Sequence, residues 1–382
     1  MTDPSPFADL PAALVEEVLE KTGEVAGNLL DSFGQLKEQR NNFRECLEKS
    51  DLLIRKSDLG SPPYPTTCAT DGSYAIERLL TTDLVAAAAV AVEGLTPPSE
   101  NRHWDFPHHR AFITSEPHKE ETTTILRAVM LGRELELAIR APHDLVILDG
   151  TLTLPVIYFN QALNSAPYSL ELKTAKEFLE NVEPFLMAYR DLLHLSRNDK
   201  QIVSLPKYST RREVGKKIGW PENMDDRGLL TLVLNPGELT RPLPLETPDQ
   251  AWHFSTSAIK GTLRERLDRL GGEIIDALSR VYVFYYKPHS WLPALRIEAG
   301  AAVAQNTYRL AVVVQGLEMQ CATPAMLEPY PNFLADKTVK ALAKALPAFR
   351  QVTTQRIAEG FEGDIGEVFF AMHGYRSDSG RK

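Results

Sequence analysis

Cysteine is scarce: Cys46, Cys68 and Cys321 are far apart and are the only three among 382 residues. An odd, scattered set excludes a disulfide framework and a cysteine-built zinc site, and it points to a reducing, cytoplasmic setting. Long apolar runs are missing as well. Residues 84–92, the most apolar stretch, are alanine-rich and followed by Glu93, far short of the roughly 20 residues that cross a bilayer. No membrane association is expected. The N-terminus has no basic region leading into an apolar one, so no signal peptide is expected either. The chain carries no Walker A loop, no dinucleotide-binding glycine fingerprint and no Gly-x-Ser-x-Gly elbow, which speaks against the nucleotide-hydrolysing, dinucleotide-dependent and serine-hydrolase classes those motifs serve. His103, His108, His109 and His118 lack the spacing of a zinc site. Basic excess is absent: 42 Lys and Arg against 51 Asp and Glu leave a net charge of −9. Bulk coating of nucleic acid is thereby disfavoured, whereas a local basic groove is not.

What is present is an ordinary globular composition, 43% hydrophobic and 24% charged. Residues 7–56 show apolar side chains at helical spacing, among them Val18, Val25, Leu29, Phe33 and Leu36, which predicts a long amphipathic helix. Residues 60–65, Gly-Ser-Pro-Pro-Tyr-Pro, read as a rigid linker. An α/β pattern follows. Strands are predicted at 68–70, 84–92, 111–114, 145–149, 202–205, 281–286 and 295–297. Helices are predicted at 122–139, 169–195, 299–305, 309–316 and 333–349, while 229–234 fits helix or strand. Residues 95–107 read as a loop, and 375–382 as a disordered tail. The periodicity supports a mixed α/β body behind a helical N-terminal arm, and carries no further.

Within that pattern two acidic motifs stand out, Ala69-Thr70-Asp71-Gly72-Ser73 and Leu148-Asp149-Gly150-Thr151. Each Asp is expected where a buried strand ends, and each Gly lets the chain turn sharply. Asp-Gly is by itself a common turn dipeptide. Two carboxylates on rigid strand ends are nonetheless what a divalent-metal site for phosphodiester hydrolysis requires. Further carboxylates are available from Glu134 or Glu136 on the helix before the second strand, and from Asp336, expected in the first turn of a later helix where its charge suits the helix N-terminus. Lys207, Arg211, Arg212, Lys216 and Lys217 cluster after one strand, with Ser209 and Thr210 as neutral phosphate ligands and Tyr208 able to stack on a base. A basic surface loop is the plainer reading of that cluster.

The order of these motifs resembles the NurA family. The pieces are Thr70-Asp71-Gly72-Ser73-Tyr74, residues 145–152, residues 204–210, Asn235-Pro236-Gly237-Glu238, residues 293–298 and residues 329–336. The resemblance implies a ribonuclease H-like mixed-sheet core flanked by helices, with a helical arm over 1–60, a nuclease domain over 66–372 and a flexible tail over 373–382. It further implies an Mn²⁺- or Mg²⁺-dependent DNA nuclease, exo- or endonucleolytic, working as a dimer with the hexameric ATPase HerA in DNA end processing, repair or antiviral defence. Asp71, Asp149, Glu134 (preferred to Glu136) and Asp336 are the implied metal ligands. Lys207 is the implied phosphate contact, with Tyr208, Ser209, Arg211 and Arg212 beside it on DNA. Two departures are visible: Thr151 stands where the family has Ser, and Asp336 where some members have His. The alternatives are an inactive nuclease-like scaffold that docks a partner ATPase, or a ribonuclease on the same core.

Overall fold

The computed structural model describes residue 7 and residues 10–222, 224–248, 250–374 and 376–380. Helix α1 (Ala12–Lys49) comes first, followed by the short strand β1 (Leu53–Arg55). The strands β2 (Thr67–Arg78), β3 (Asp83–Glu93) and β4 (His108–Glu116) then form an antiparallel meander. Helix α2 (Glu121–Arg140) crosses to β5 (Leu145–Asp149), and α3 (Leu154–Ser165) and α4 (Lys173–Leu193) lead to β6 (Gln201–Leu205). Next come α5 (Glu213–Ile218), α6 (Asp226–Val233), β7 (Glu238–Thr240), β8 (Leu243–Pro244), α7 (Gly261–Leu278), β9 (Val281–Lys287) and β10 (Leu295–Gly300). Helices α8 (Ala301–Ala304), α9 (Thr307–Gln320), α10 (Tyr330–Gly360) and α11 (Ile365–Ala371) precede the last strand, β11 (Arg376–Gly380).

One sheet collects the strands in the order β1-β7-β9-β10-β6-β5-β2-β3-β4. The half β4-β3-β2-β5-β6 is a ribonuclease H-like core: a meander whose first strand is joined on its other side by two parallel strands. Helices α2 and α4 cover one face, and α9 and α10 the other. The alanine run of β3 now has a packing reason. Ala87, Ala89 and Ala91 lie in the cluster with α2, whereas Ala86 packs with Leu346 of α10, so small side chains let a helix approach on both faces.

Several sequence expectations change. The Asp71-Gly72 motif is not a turn, because β2 runs straight through it, paired along its length with β3. An ideal Cβ on Gly72 would lie 2.8 Å from Met130 Cγ and 3.3 Å from Glu134 Oε2, so this glycine serves the close crossing of α2. Gly150, with φ of +93°, does turn the chain after Asp149. The first helix stops at Lys49, and Leu53–Arg55 pairs with β7, so the sheet begins before the expected boundary at 60. The supposed tail is no free end: Arg376–Gly380 pairs antiparallel with residues 78–74 of β2, beyond the stretch of β2 that β5 covers. Tyr375, Arg381 and Lys382 lie outside the described residues. Helix α10 starts at Tyr330, behind Pro329, which puts Asp336 almost two turns in and removes the expected help from the helix N-terminus. Among the described residues, no helix is long and apolar enough to cross a membrane.

Candidate metal centre and its cleft

The parallel register of β2 and β5 pairs Thr70 with Leu148, so Asp71 and Asp149 follow side by side on neighbouring strands. Alternation along both strands turns them to the α10 face, away from the cluster under α2 that holds Cys68, Tyr74, Val146 and Leu148. Helix α10 packs across β2 and β3 there and supplies Asp336. Carboxylate oxygens of Asp71, Asp149 and Asp336 come within 4.8 Å of one another. Among the described residues this is the one group of its kind.

Two ammonium groups offset this charge. Lys207, just past β6, places Nζ 3.0 Å from Asp149 Oδ2 and 3.0 Å from Glu328 Oε2. Burial alone would lower the pKa of Lys207, but the two carboxylates outweigh it and hold the group above the usual lysine value. Lys340, one turn beyond Asp336 on α10, pairs with Asp336. The cleft over the three carboxylates measures about 310 Å³, with Ser73, Thr151 and Tyr208 in its lining.

The turn that carries Asp149 is held from below by a buried network. Glu298 of β10 accepts from Thr151 Oγ1 at 2.6 Å and from the Leu152 amide at 3.0 Å. Arg296 donates to Glu298 at 3.2 Å, to both oxygens of Glu213 at 2.8 Å and to Tyr285 Oη at 2.6 Å. Tyr189 donates to the Leu152 carbonyl from the other side. A hydroxyl is what position 151 needs, and Thr supplies it as Ser would. Neither the role of this network nor Glu328 was read from the sequence. The signal for the first was an Arg-x-Glu pair inside an otherwise apolar strand, Leu295-Arg296-Ile297-Glu298.

Glu134 and Glu136 are separated by their surroundings. Glu136 pairs with Arg133 at 3.1 Å and approaches Arg140. Glu134 is fully buried beneath Gly72 and lines a small cavity with Asp149 and Thr151. It therefore lies beside Asp149 without joining the group of three aspartates. The expected DNA contacts divide too. Tyr208 is 95% exposed at the mouth of the cleft. Arg212, by contrast, donates to the carbonyls of Met224, Trp220 and Pro221, and Arg211 to that of Glu246. Arg212 holds the loop through Nε and one terminal nitrogen, and Arg211 through one terminal nitrogen alone. Ser209 Oγ accepts from the Arg211 amide at 3.1 Å. His118 binds Asp83 at 2.7 Å, and His103 and His143 pack edge to face, so these histidines form no metal group among the described residues.

The NurA-domain profile matches residues 65–340. The chain belongs to the NurA family. The fold is similar to the NurA nuclease of Sulfolobus solfataricus, with a TM-score of 0.58 at 12% identity over 92% of this chain and 99% of that one. A second solved NurA matches with a TM-score of 0.52 at 14% identity, covering 91% of this chain and 99% of the other. NurA bound to dAMP and manganese matches at 0.50 and 13% identity, covering 84% and 93%. No curated protein matches significantly. The NurA-domain match opens just before β2 and closes at Lys340, so it contains all three aspartates and Lys207.

Proposed function

We propose that this NurA-family protein is a metal-dependent nuclease that hydrolyses DNA phosphodiester bonds. The observation that carries the reading is the convergence of Asp71, Asp149 and Asp336 oxygens within 4.8 Å on rigid elements, beside Lys207. An all-carboxylate donor set suits a hard cation, Mn²⁺ or Mg²⁺, and the replacement of His by Asp336 makes the set harder still. The similar NurA with dAMP and manganese supports that choice of metal. Asp71, Asp149 and Asp336 would hold the cation, which would supply activation of a water and neutralisation of phosphate charge. Lys207, kept protonated by Asp149 and Glu328 and about one-third exposed, binds a phosphate oxygen and stabilises the charge that builds during cleavage. Glu134, under Gly72, lines the floor beside Asp149, outside the group of three aspartates. The Glu298 network keeps the Asp149 turn from moving when Lys207 is drawn to phosphate.

The finer reading is a dimer that works with a HerA-type hexameric ATPase in DNA end processing. Its support is α1: Val18, Val25, Leu29, Leu30 and Phe33 are exposed, and only the C-terminal part of the helix, with Phe43 and Leu47, is buried on the body. Residues 12–35 thus present an apolar stripe that a second copy or an ATPase would cover. A scaffold without activity is the second reading, favoured by the ion pairs that Lys207 and Lys340 already make with the site carboxylates. Linear duplex DNA, single-stranded DNA and single-stranded RNA incubated with Mn²⁺, with and without the ATPase, separate these readings. Metal-dependent loss of DNA that Asp149→Asn abolishes is the expected result. No cleavage of any substrate in either condition makes the protein a scaffold, and cleavage of RNA alone makes it a ribonuclease.

A further inference from the structure

Behind Lys207 and Tyr208 lies a second cleft of about 240 Å³, which shares those two side chains and Pro206 with the metal centre as a common wall. Its remaining walls are mainly apolar, from Pro293, Leu295, Leu327 and Pro329. Asn332, in the first turn of α10, also lines it, is only 3% exposed, and its Oδ1 accepts no hydrogen bond. A buried amide oxygen without a donor is destabilising, and a ligand that hydrogen-bonds it removes that cost. Glu328 stands in the lining with its carboxylate on Lys207, so a phosphate is disfavoured there. Arg227 also lines the cleft but donates to the Ala294 and Lys207 carbonyls, so its charge is committed to the loop. Flat apolar walls, an exposed tyrosine at the rim and one amide that both donates and accepts suit a nucleobase. An Asn amide recognises base edges in just this way, and aromatic side chains stack on unpaired bases.

We propose that this second cleft is a nucleobase subsite, taking the base of an unpaired nucleotide whose phosphate lies at Lys207, with Asn332 reading the base edge and Tyr208 stacking on it. This rests on the nuclease reading only in that one strand passes through both clefts. The base must leave the duplex stack to enter, so the subsite favours unpaired or frayed DNA over fully paired DNA.

The test compares equilibrium binding of dAMP with that of 2-deoxyribose 5-phosphate, which lacks the base, to the full chain in Mn²⁺. Wild-type protein is expected to bind dAMP on the order of tenfold more tightly, as one stacked base contributes. Asn332→Leu is expected to shrink that gap to about threefold or less, by loss of the base-edge hydrogen bond, with deoxyribose 5-phosphate affinity held. Because Asn332 is buried, a second variant guards against misfolding: Leu327 is 60% exposed at the cleft, and Leu327→Trp fills it from outside with the same expected loss. No advantage of dAMP in the wild type, or a full advantage in both folded variants, overturns the subsite. Nuclease assays on the same preparations keep the two ideas apart. DNA cleavage with an unaltered gap in the variants sinks the subsite alone, whereas a variant-sensitive gap without any cleavage sinks the nuclease reading alone.

Discussion

Asp149 touches Lys207 through Oδ2 and belongs to the carboxylate group with Asp71 and Asp336. Removing its charge takes a ligand from the cation and half the restraint from the lysine. Asp71→Asn and Asp149→Asn are therefore expected to abolish Mn²⁺-dependent cleavage while the thermal unfolding midpoint is kept or raised, because fewer like charges then crowd the site. Full activity in either variant would sink the site. Lys207→Met is expected to lower kcat on the order of a hundredfold, the scale of losing one transition-state donor, with a smaller change in KM. A change confined to KM would instead assign Lys207 to ground-state binding. His143 lies far from this chemistry and offers a pH handle. It is fully buried, 3.7 Å from Glu93 and packed edge-on against His103 and Trp104. Burial, opposed by Glu93, pulls its imidazole down to about 4. A pKa depressed on folding contributes stability that is complete above the unfolded value of about 6.5 and is lost as pH falls through the folded one. Unfolding midpoints measured from pH 7 down to 4 are expected to drop more steeply for the wild type than for His143→Leu. Equal slopes would remove His143 as the cause.

At the level of elements, the sheet makes the site by bringing together strand ends far apart in sequence. Glu213, Arg296 and Glu298 tie β10 and α5 to the turn after β5 through hydrogen bonds that are buried, apart from the part-buried one of Thr151. Glu298→Ala leaves Arg296 with one carboxylate fewer and frees Thr151 and the Leu152 amide. The expected cost is about 3–5 kcal/mol, the usual penalty for breaking a buried charged network. Glu298→Gln, which keeps an acceptor, is expected to recover much of that stability but to weaken Mn²⁺ affinity, readable by calorimetric titration. Unchanged metal affinity in a folded Glu298→Gln protein would limit the network to stability. Gly72→Ala forces Met130 or α2 to move, at a cost of about 1–3 kcal/mol for overpacking. The two Asp-Gly motifs look alike in sequence and differ in structure. The one after β5 turns on a positive φ, whereas the one in β2 has glycine because a helix crosses it.

For the molecule as a whole, α1 is the main unfinished surface. Arg44 clamps its C-terminal end to Glu238 with hydrogen bonds of 2.7 and 2.8 Å, and the preceding turns extend with exposed Val25, Leu29, Leu30 and Phe33. If two copies meet there, Leu29→Glu with Phe33→Glu is expected to halve the mass seen by light scattering and to spare the fold, as both residues are exposed. An unchanged mass with lost ATPase binding would give the surface to the partner. The net charge of −9 recurs at the cleft, where Lys207 and Lys340 are outnumbered by Asp71, Asp149 and Asp336, so a phosphate there depends on a bound cation for part of its attraction.

The chain's own order of residues determined the α/β alternation, the long first helix and the candidacy of Asp71 and Asp149, because apolar periodicity and Asp-Gly dipeptides are local signals. It did not separate Glu134 from Glu136, which are two residues apart on one helix, and buried both. Only packing did so, by setting one under Gly72 and the other against Arg133. Nor did a cluster of basic letters reveal that Arg211 and Arg212 hold backbone carbonyls while Lys207 faces the carboxylates. Hydrogen-bond partners decide where a charge points: those of Arg212 lie in its own loop, whose path the letters do not give, and those of Lys207 come from distant segments that the folded chain brings together.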